Sequence, residues 1–337
     1  MHMRRYIVML LFLILIGCGT SSENGAAAFK TVKNVTVHVF GNPLVIGVPV
    51  DLCAEGNCLF VLAYDQNNWL HVYDKNSGDK LGEFITPGRG PGEAIDIASI
   101  DYLRDEANLY LFDMALRKTI VYHLDGDTGI ASFVREIHHP AEGVIRNCHV
   151  LSNERFLYEG YLSGYDKSTR YILYDGQTVL DSYAEYPVES EDDRLAFVLG
   201  VSKGDPNTDM FVAGTTFGAV LECFDVSDSD IRPVAIHILD IPVMDTSGGG
   251  IRLMEGKKYG FSTICISDDL IYTNYLDSTD PTVFRTIATF DMKGRERTKY
   301  ILDKNVLRLC PGAEDGEFYG ITSSPEMEFT LSCFQLD

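Results

Sequence analysis

The sequence predicts an all-β fold: a six-bladed β-propeller of four-stranded antiparallel blades, the last blade closed by the N-terminal strand. Three observations predict it. Past residue 30 there is almost no helical periodicity, and short alternating or apolar runs are broken every few residues by Gly, Pro, Asn or Asp. An aromatic residue followed by Asp closes the third strand of most units, at Tyr73-Asp74, Tyr174-Asp175, Phe224-Asp225 and Phe290-Asp291, with Tyr122-His-Leu-Asp125 in the second. These aspartates stand 51, 50, 50 and 66 residues apart. A period near fifty carrying four strands is the pattern of a propeller.

The elements follow in order. The chain opens with a targeting segment, which stays out of the fold. Arg4 and Arg5 form its positive region, and Ile7 to Ile16 is an apolar run too short to cross a bilayer as a stable helix. Leu15-Ile16-Gly17-Cys18 looks like a bacterial lipobox, with a small residue before the cut and a cysteine after it. We therefore expect residues 1–17 as a lipoprotein signal peptide and 18–30 as a lipidated Cys18 with a flexible tether. Residues 31–337 then form a single propeller held to a membrane by acyl chains.

Blade one is the meander Val45–Cys53, Cys58–Tyr64, Trp69–Tyr73 and Lys80–Ile85. Blade two covers roughly 94–137, blade three 143–184, blade four 194–240 and blade five 260–302. The last unit offers only three strands, Lys304–Cys310, Glu317–Ile321 and Glu328–Phe334. The alternating Lys33-Asn-Val-Thr-Val-His-Val-Phe40 supplies a fourth, which closes the ring and hides both open edges. In the turns after the third strands, Asp accepts backbone N–H bonds and a following Gly takes the positive φ. Ile241–Lys258 is the longest insertion and carries Ser247-Gly-Gly-Gly250 and Arg252.

Composition narrows the function. Asp plus Glu number 49 against 28 Lys plus Arg, for a net charge of −21. Such a chain lacks the basic footprint that nucleic acid requires. Seven cysteines besides Cys18 are mostly single within apolar runs, where a thiol behaves as a small hydrophobe. Cys53 and Cys58 flank a turn that a disulfide could span. No zinc spacing, Gly-x-Ser-x-Gly elbow, His-Glu-x-x-His helix or phosphate loop is present.

Candidate binding residues therefore sit in loops, which a propeller gathers on one face. The joint Pro87-Gly-Arg-Gly-Pro-Gly-Glu93 combines fixed and permissive backbone. Its Arg89 could clamp a carboxylate or phosphate in bidentate fashion, but the reading preferred here is structural, a pairing with Glu93 or another carboxylate between blades. Glu93, Arg252 and Trp69, the only tryptophan, complete the candidate ligand set. The acidic runs Glu189–Asp193 and Asp225–Asp230 are expected as solvated turns, with calcium as the lesser reading. Asp51, Asp96, Asp101 and His149 lie near first strands and are the candidates for any channel site. His138-His139 is expected as a solvated loop pair.

Gly88-Arg-Gly-Pro-Gly-Glu93 behind a lipobox resembles the TolB-like six-bladed propeller lipoproteins of Gram-negative bacteria. That family usually has Phe after the hexapeptide, where this chain has Ala94. The resemblance implies the propeller and a cell-envelope location, with the lipid anchor expected at the outer membrane on its periplasmic or surface face, and implies little about activity. The expected function is a non-catalytic binding or scaffold propeller for an envelope protein, peptide or glycan, without a cofactor. The alternative is an envelope enzyme, a metal-dependent hydrolase, lactonase or lyase working at the channel mouth.

Overall fold

The computed structural model describes residues 29–267 and 269–337. Cys18 and the expected signal segment lie outside the described residues. Six antiparallel sheets follow one another along the chain. Blade one is Val48–Glu55, Cys58–Tyr64, Leu70–Asp74 and Lys80–Phe84. Blade two is Ile97–Leu103, Asn108–Asp113, Lys118–Asp125 and Ile130–His138. Blade three is Gly143–Val150, Phe156–Leu162, Tyr171–Tyr174 and Val179–Tyr183. Blade four is Val201–Asp205, Met210–Gly214, Ala219–Asp225 and Arg232–Asp240, and blade five is Tyr259–Ser267, Leu270–Ser278, Thr286–Asp291 and Glu296–Leu302. Val306–Pro311, Glu317–Ser323 and Phe329–Gln335 begin blade six.

The N-terminal strand closes the ring, but it does so in two pieces. Thr31–Val35 lies parallel on the outer strand of blade five, with Thr31 opposite Thr298 and Val35 opposite Leu302. The chain then breaks, and His38–Phe40 completes blade six antiparallel to Phe329–Gln335. The break lets Val37 enter the core between blades five and six, where its N–H donates to Asp303 Oδ1 at 2.8 Å. An unbroken strand would have kept it in line with the half-exposed Val39. The seam therefore ties two blades together.

Because every blade is an up-and-down meander, the blade-to-blade crossovers and the second-to-third-strand turns share one face, here the crossover face. First-to-second and third-to-fourth turns share the other, the hairpin face. On the hairpin face the recurrent Asp does what its chemistry suggests. Asp74 Oδ1 accepts the N–H groups of Asn76 and Ser77 at 2.9 and 2.8 Å, and Asp175 Oδ1 those of Gln177 and Thr178 at 2.9 and 2.7 Å. Asp125 makes the same turn, and Asp291 Oδ1 accepts the N–H groups of Lys293 and Arg295 in a variant of it. The core lies between neighbouring sheets. Phe261, Phe290, Leu221 and Val212 fill the gap between blades four and five without solvent exposure.

One element departs from the expected pattern. Blade four does not begin near residue 194, because Glu191–Val198 is a helix, α1. Ser190 is its N-cap, and three carboxylates occupy the first turn, where the helix dipole favours them. Eight residues with two buried side chains give no legible 3.6-residue period, which is why the run reads as an acidic turn. The other acidic run, Asp225–Asp230, is drawn together by Arg232, which pairs with Asp225 and Asp228 at 2.9 Å.

The turn glycines provide a test. Gly129 has φ of +72°, and a Cβ there would stand 3.0 Å from Leu81, whereas Gly176 has φ of +89° in open space. Gly129→Ala is expected to cost about 2 kcal/mol and Gly176→Ala about 1 kcal/mol in denaturant unfolding. Equal costs would show that blade-to-blade packing does not reach this turn.

Candidate functional site on the crossover face and the channel axis

The Pro87–Glu93 joint is bound to blade two by its backbone. Tyr122 Oη donates to Gly92 O at 2.8 Å, and Gly92 N–H donates to Glu136 Oε1 at 2.9 Å. That carboxylate also pairs with the buried Lys118 at 2.6 Å. Glu93 does not pair with Arg89. Its Oε2 accepts the Gly90 N–H at 2.7 Å, folding the motif onto itself. The preferred structural role for Arg89 therefore has no counterpart in the geometry, for its guanidinium is exposed with no hydrogen-bond or ion-pair partner among the described residues. The joint begins at Ile85, a β-branched residue held at φ of +68°. Such a conformation costs of the order of 1–3 kcal/mol, and the burial of Ile85 between blades one and two holds it there.

The other candidates separate. Trp69 is in that same core, edge-on to Tyr64 at 5.1 Å, and contributes packing rather than a ligand surface. Arg252 is exposed on a short hairpin, Met244–Asp245 with Arg252–Leu253, where its Nε donates to Asp245 Oδ2 at 2.8 Å. This hairpin joins α1 through Met244 N–H, which donates to Asp193 Oδ1 at 2.8 Å. Met244, Phe197 and Val220 pack beneath them, so insertion and helix make one raised shelf over blades three and four. Under the shelf, Arg170 is buried against Glu222 and lies 4.5 Å from the Tyr186 ring and 5.0 Å from Phe197.

The channel axis is lined by all six first strands. Five of them carry a bulge at the same place, at Val50, Ala98, Arg146, Ser262 and Leu307. The first residues after the bulge are Asp51, Ser99, Asn147, Thr263 and Arg308. Two positions further on stand Cys53, Asp101, His149, Cys265 and Cys310. The leucine- or isoleucine-cysteine pairs at 52–53, 264–265 and 309–310 are a signal in the sequence that would have aligned these strands. Cys53 and Cys58 are both free thiols, and Cys53, Cys265 and Cys310 line a cavity of about 390 Å³ at the hairpin mouth. Burial pushes their thiols up, so they are uncharged.

On the opposite side of the axis the groups are ionic. His149 Nδ1 lies 3.4 Å from Asp101 Oδ1, and its Nε2 lies 2.9 Å from Ser202 Oγ and 3.4 Å from Glu159 Oε1. Burial disfavours the imidazolium, but Asp101 and Glu159 outweigh it and raise its pKa to about 9. Lys203 Nζ lies 3.7 Å from both Asp51 and Asp101. Asp96 stays off this axis set. Among the described residues, no group of three or more His, Cys, Asp or Glu side chains is arranged to hold a metal ion. His139 is not the solvated residue expected, because it is buried among Phe112, Phe156 and Tyr158. Burial, with His138 adding to it, lowers its pKa to about 4.

The comparisons with known proteins bear on this geometry. The family model described as TolB-like 6-blade propeller-like matches residues 28–311. The chain belongs to that family. Among solved structures, the TolB-like chain is similar to a Bacteroides fragilis protein assigned as exported, at 16% identity and a TM-score of 0.54, over 90% of this chain and 98% of that one. It is also similar to a member of the DUF4221 family from Bacteroides vulgatus, at 10% identity and a TM-score of 0.51, over 90% and 98%. These likenesses show the fold. No curated protein matches the chain.

Two buried histidines give this TolB-like propeller opposite pH limbs. His139 has a folded pKa below its unfolded value near 6.5, so its contribution to stability is lost as pH falls from about 6.5 to about 4. His149 has a folded pKa above it, so its contribution is full below about 6.5 and lost as pH rises through about 9. His149→Gln is expected to flatten the alkaline limb of a thermal-unfolding profile and leave the acid limb. A profile in which it flattens neither limb would contradict the buried imidazolium.

Proposed function

We propose that this TolB-like propeller is a lipid-anchored protein of the cell envelope, held by Cys18 at the outer membrane, that acts as a non-catalytic binding or scaffold module. It engages a protein, peptide or glycan through the crossover face. The observation that carries the reading is the construction of that face. A shelf of helix and hairpin and a braced loop offering an unpartnered Arg89 stand around the channel mouth. The axial carboxylates Asp101 and Glu159, by contrast, are taken up by His149, Ser202 and the Val150 N–H, an arrangement that holds strands together. Loops displayed on a rigid scaffold are suited to recognition.

Anchoring rests on the lipobox and on tether length. Residues 19–28 reach at most about 35 Å when extended, enough to hold the propeller beside a bilayer. No helix among the described residues is long and apolar enough to cross a membrane.

Both parts are testable with the full chain in a Gram-negative host. Labelled palmitate is expected in the wild-type protein, and Cys18→Ser should remove the label and release the protein from the membrane fraction. Unlabelled wild-type protein in the soluble fraction would contradict the anchor. For binding, the immobilised chain should retain one defined envelope component, and Arg89→Glu with Arg252→Glu should weaken retention several-fold. Retention unaffected by these changes but abolished by Arg104→Glu would place the interface on the hairpin face instead.

A further inference from the structure

We infer that the crossover end of the axis is a site for a single carboxylate group, received by Arg308 with Lys203 as the second cation of the lining. The inference rests on the binding reading above and names a ligand chemistry for the mouth of the same face. Arg308 comes from blade six and Lys203 from blade four, and both line one axial cavity of about 180 Å³. That is room for about six waters, enough for a carboxylate on a short carbon stem.

Both cations are held by backbone oxygens and keep donors that the protein does not use. Arg308 donates from Nε to Val50 O, and from Nη1 to Leu307 O at 2.9 Å and Thr263 Oγ1 at 3.5 Å. Those bonds fix the guanidinium plane. Its Nη2 keeps accessible surface and has no partner among the described residues. Lys203 Nζ donates to Ile100 O, while Asp51 Oδ2 and Asp101 Oδ1 each lie 3.7 Å away, beyond hydrogen-bond length. An ammonium has three N–H groups, so two remain.

Charge selects the ligand. The charged lining is Asp51 against Lys203, Arg308 and His149. His149 is spent on Asp101 and Glu159, each 3.4 Å from one of its ring nitrogens and neither lining the cavity. Burial works against the Lys203 ammonium, but Asp51 and Asp101 outweigh it and keep the group charged. Arg308 is the cation left over. No carboxylate lies within ion-pair distance of it among the described residues, and burial lowers its pKa against the pull of Asp51. A guanidinium taken out of water without a counter-ion is costly, and an entering carboxylate supplies one through charge-assisted bonds from Nη2. A monoanion meets that single uncompensated charge. A phosphate dianion would bring a second negative charge past Asp51, and a cation would meet Arg308 and Lys203.

The test is titration of the wild-type chain with propionate, read by ligand-observed NMR and calorimetry, with propionamide as the uncharged isostere and inorganic phosphate as the dianion. Propionate is expected to saturate at millimolar concentration, and the other two should bind at least tenfold more weakly. N-acetyl-trialanine, as free acid and as amide, identifies the source of the carboxylate. A free acid that binds more tightly than propionate, with the amide silent, assigns it to a peptide end; otherwise it belongs to a small free acid. Arg308→Gln should weaken propionate binding at least tenfold. Because Arg308 also links blades, Asp51→Asn is the decisive variant. Asn keeps the acceptor that takes the Leu52 N–H at 2.9 Å, yet it removes the one carboxylate that opposes the ligand, so affinity should rise several-fold. No saturation by propionate, equal binding of propionamide, a preference for phosphate, or unchanged or weaker binding in Asp51→Asn would each overturn the inference. If the immobilised chain still retains an envelope component through Arg89 and Arg252 while no carboxylate binds, this inference falls and the binding reading stands. Failure of both removes both.

Discussion

The innermost strand of every blade has one edge paired within its sheet and one edge turned to the axis, where no further strand can pair with it. Backbone groups on that edge need partners, and side chains from neighbouring blades supply them. Ser99 Oγ donates to Cys148 O at 2.7 Å and accepts the Cys148 N–H at 3.1 Å. Asp101 Oδ2 accepts the Val150 N–H at 2.9 Å, Lys203 donates back to Ile100 O, and Arg308 donates to Val50 O. On the far side, Asn274 Nδ2 donates to Val306 O and Leu307 O at 2.9 and 3.1 Å. The polar axis is thus the means by which six separate sheets become one ring. The charges that cap the edges are balanced by one another, with His149 held between Asp101 and Glu159.

The same constraint shapes where recognition takes place. Groups committed to capping are unavailable to a ligand, which leaves only the few at the crossover end with spare capacity. Around them the chain adds the α1 shelf and the braced Pro87–Glu93 loop. The hairpin end is different in kind. Three neutral thiols there share a wider cavity with Arg104, Asp105, Lys203 and Asp205, and the Asp-Gly turns on that face are occupied with their own backbone. The seam formed by Thr31–Val35 and His38–Phe40 then closes the ring across two blades, so the edge that starts the propeller is also covered.

Much of the architecture was legible because it repeats. A period near fifty, the aromatic-Asp-Gly turns and the unpaired strand at 33–40 follow from rules that act on neighbouring residues. What was not legible depends on contacts across blades. Arg89 and Glu93 are four residues apart and of opposite charge, yet the carboxylate prefers the Gly90 N–H, a choice only the loop geometry makes. Trp69 follows a polar loop and still turns into the core. Among the channel candidates, Asp51, Asp101 and His149 do gather, but their partners Ser202, Lys203 and Arg308 arrive from strands more than 100 residues away from some of them. The α1 helix hid behind an acidic run whose Ser190-x-x-Asp193 spacing is a capping pattern.

The most direct test of edge capping is amide hydrogen exchange in the folded protein with Ser99→Ala. That change removes one hydroxyl and its bond to the Cys148 N–H while leaving blade three intact. Exchange at Cys148 is expected to quicken at least tenfold, with the amides of Asn76 and Ser77 on the hairpin face unchanged. Unaltered protection at Cys148 would show that the axial side chains do not hold the inner edges, and would contradict the account.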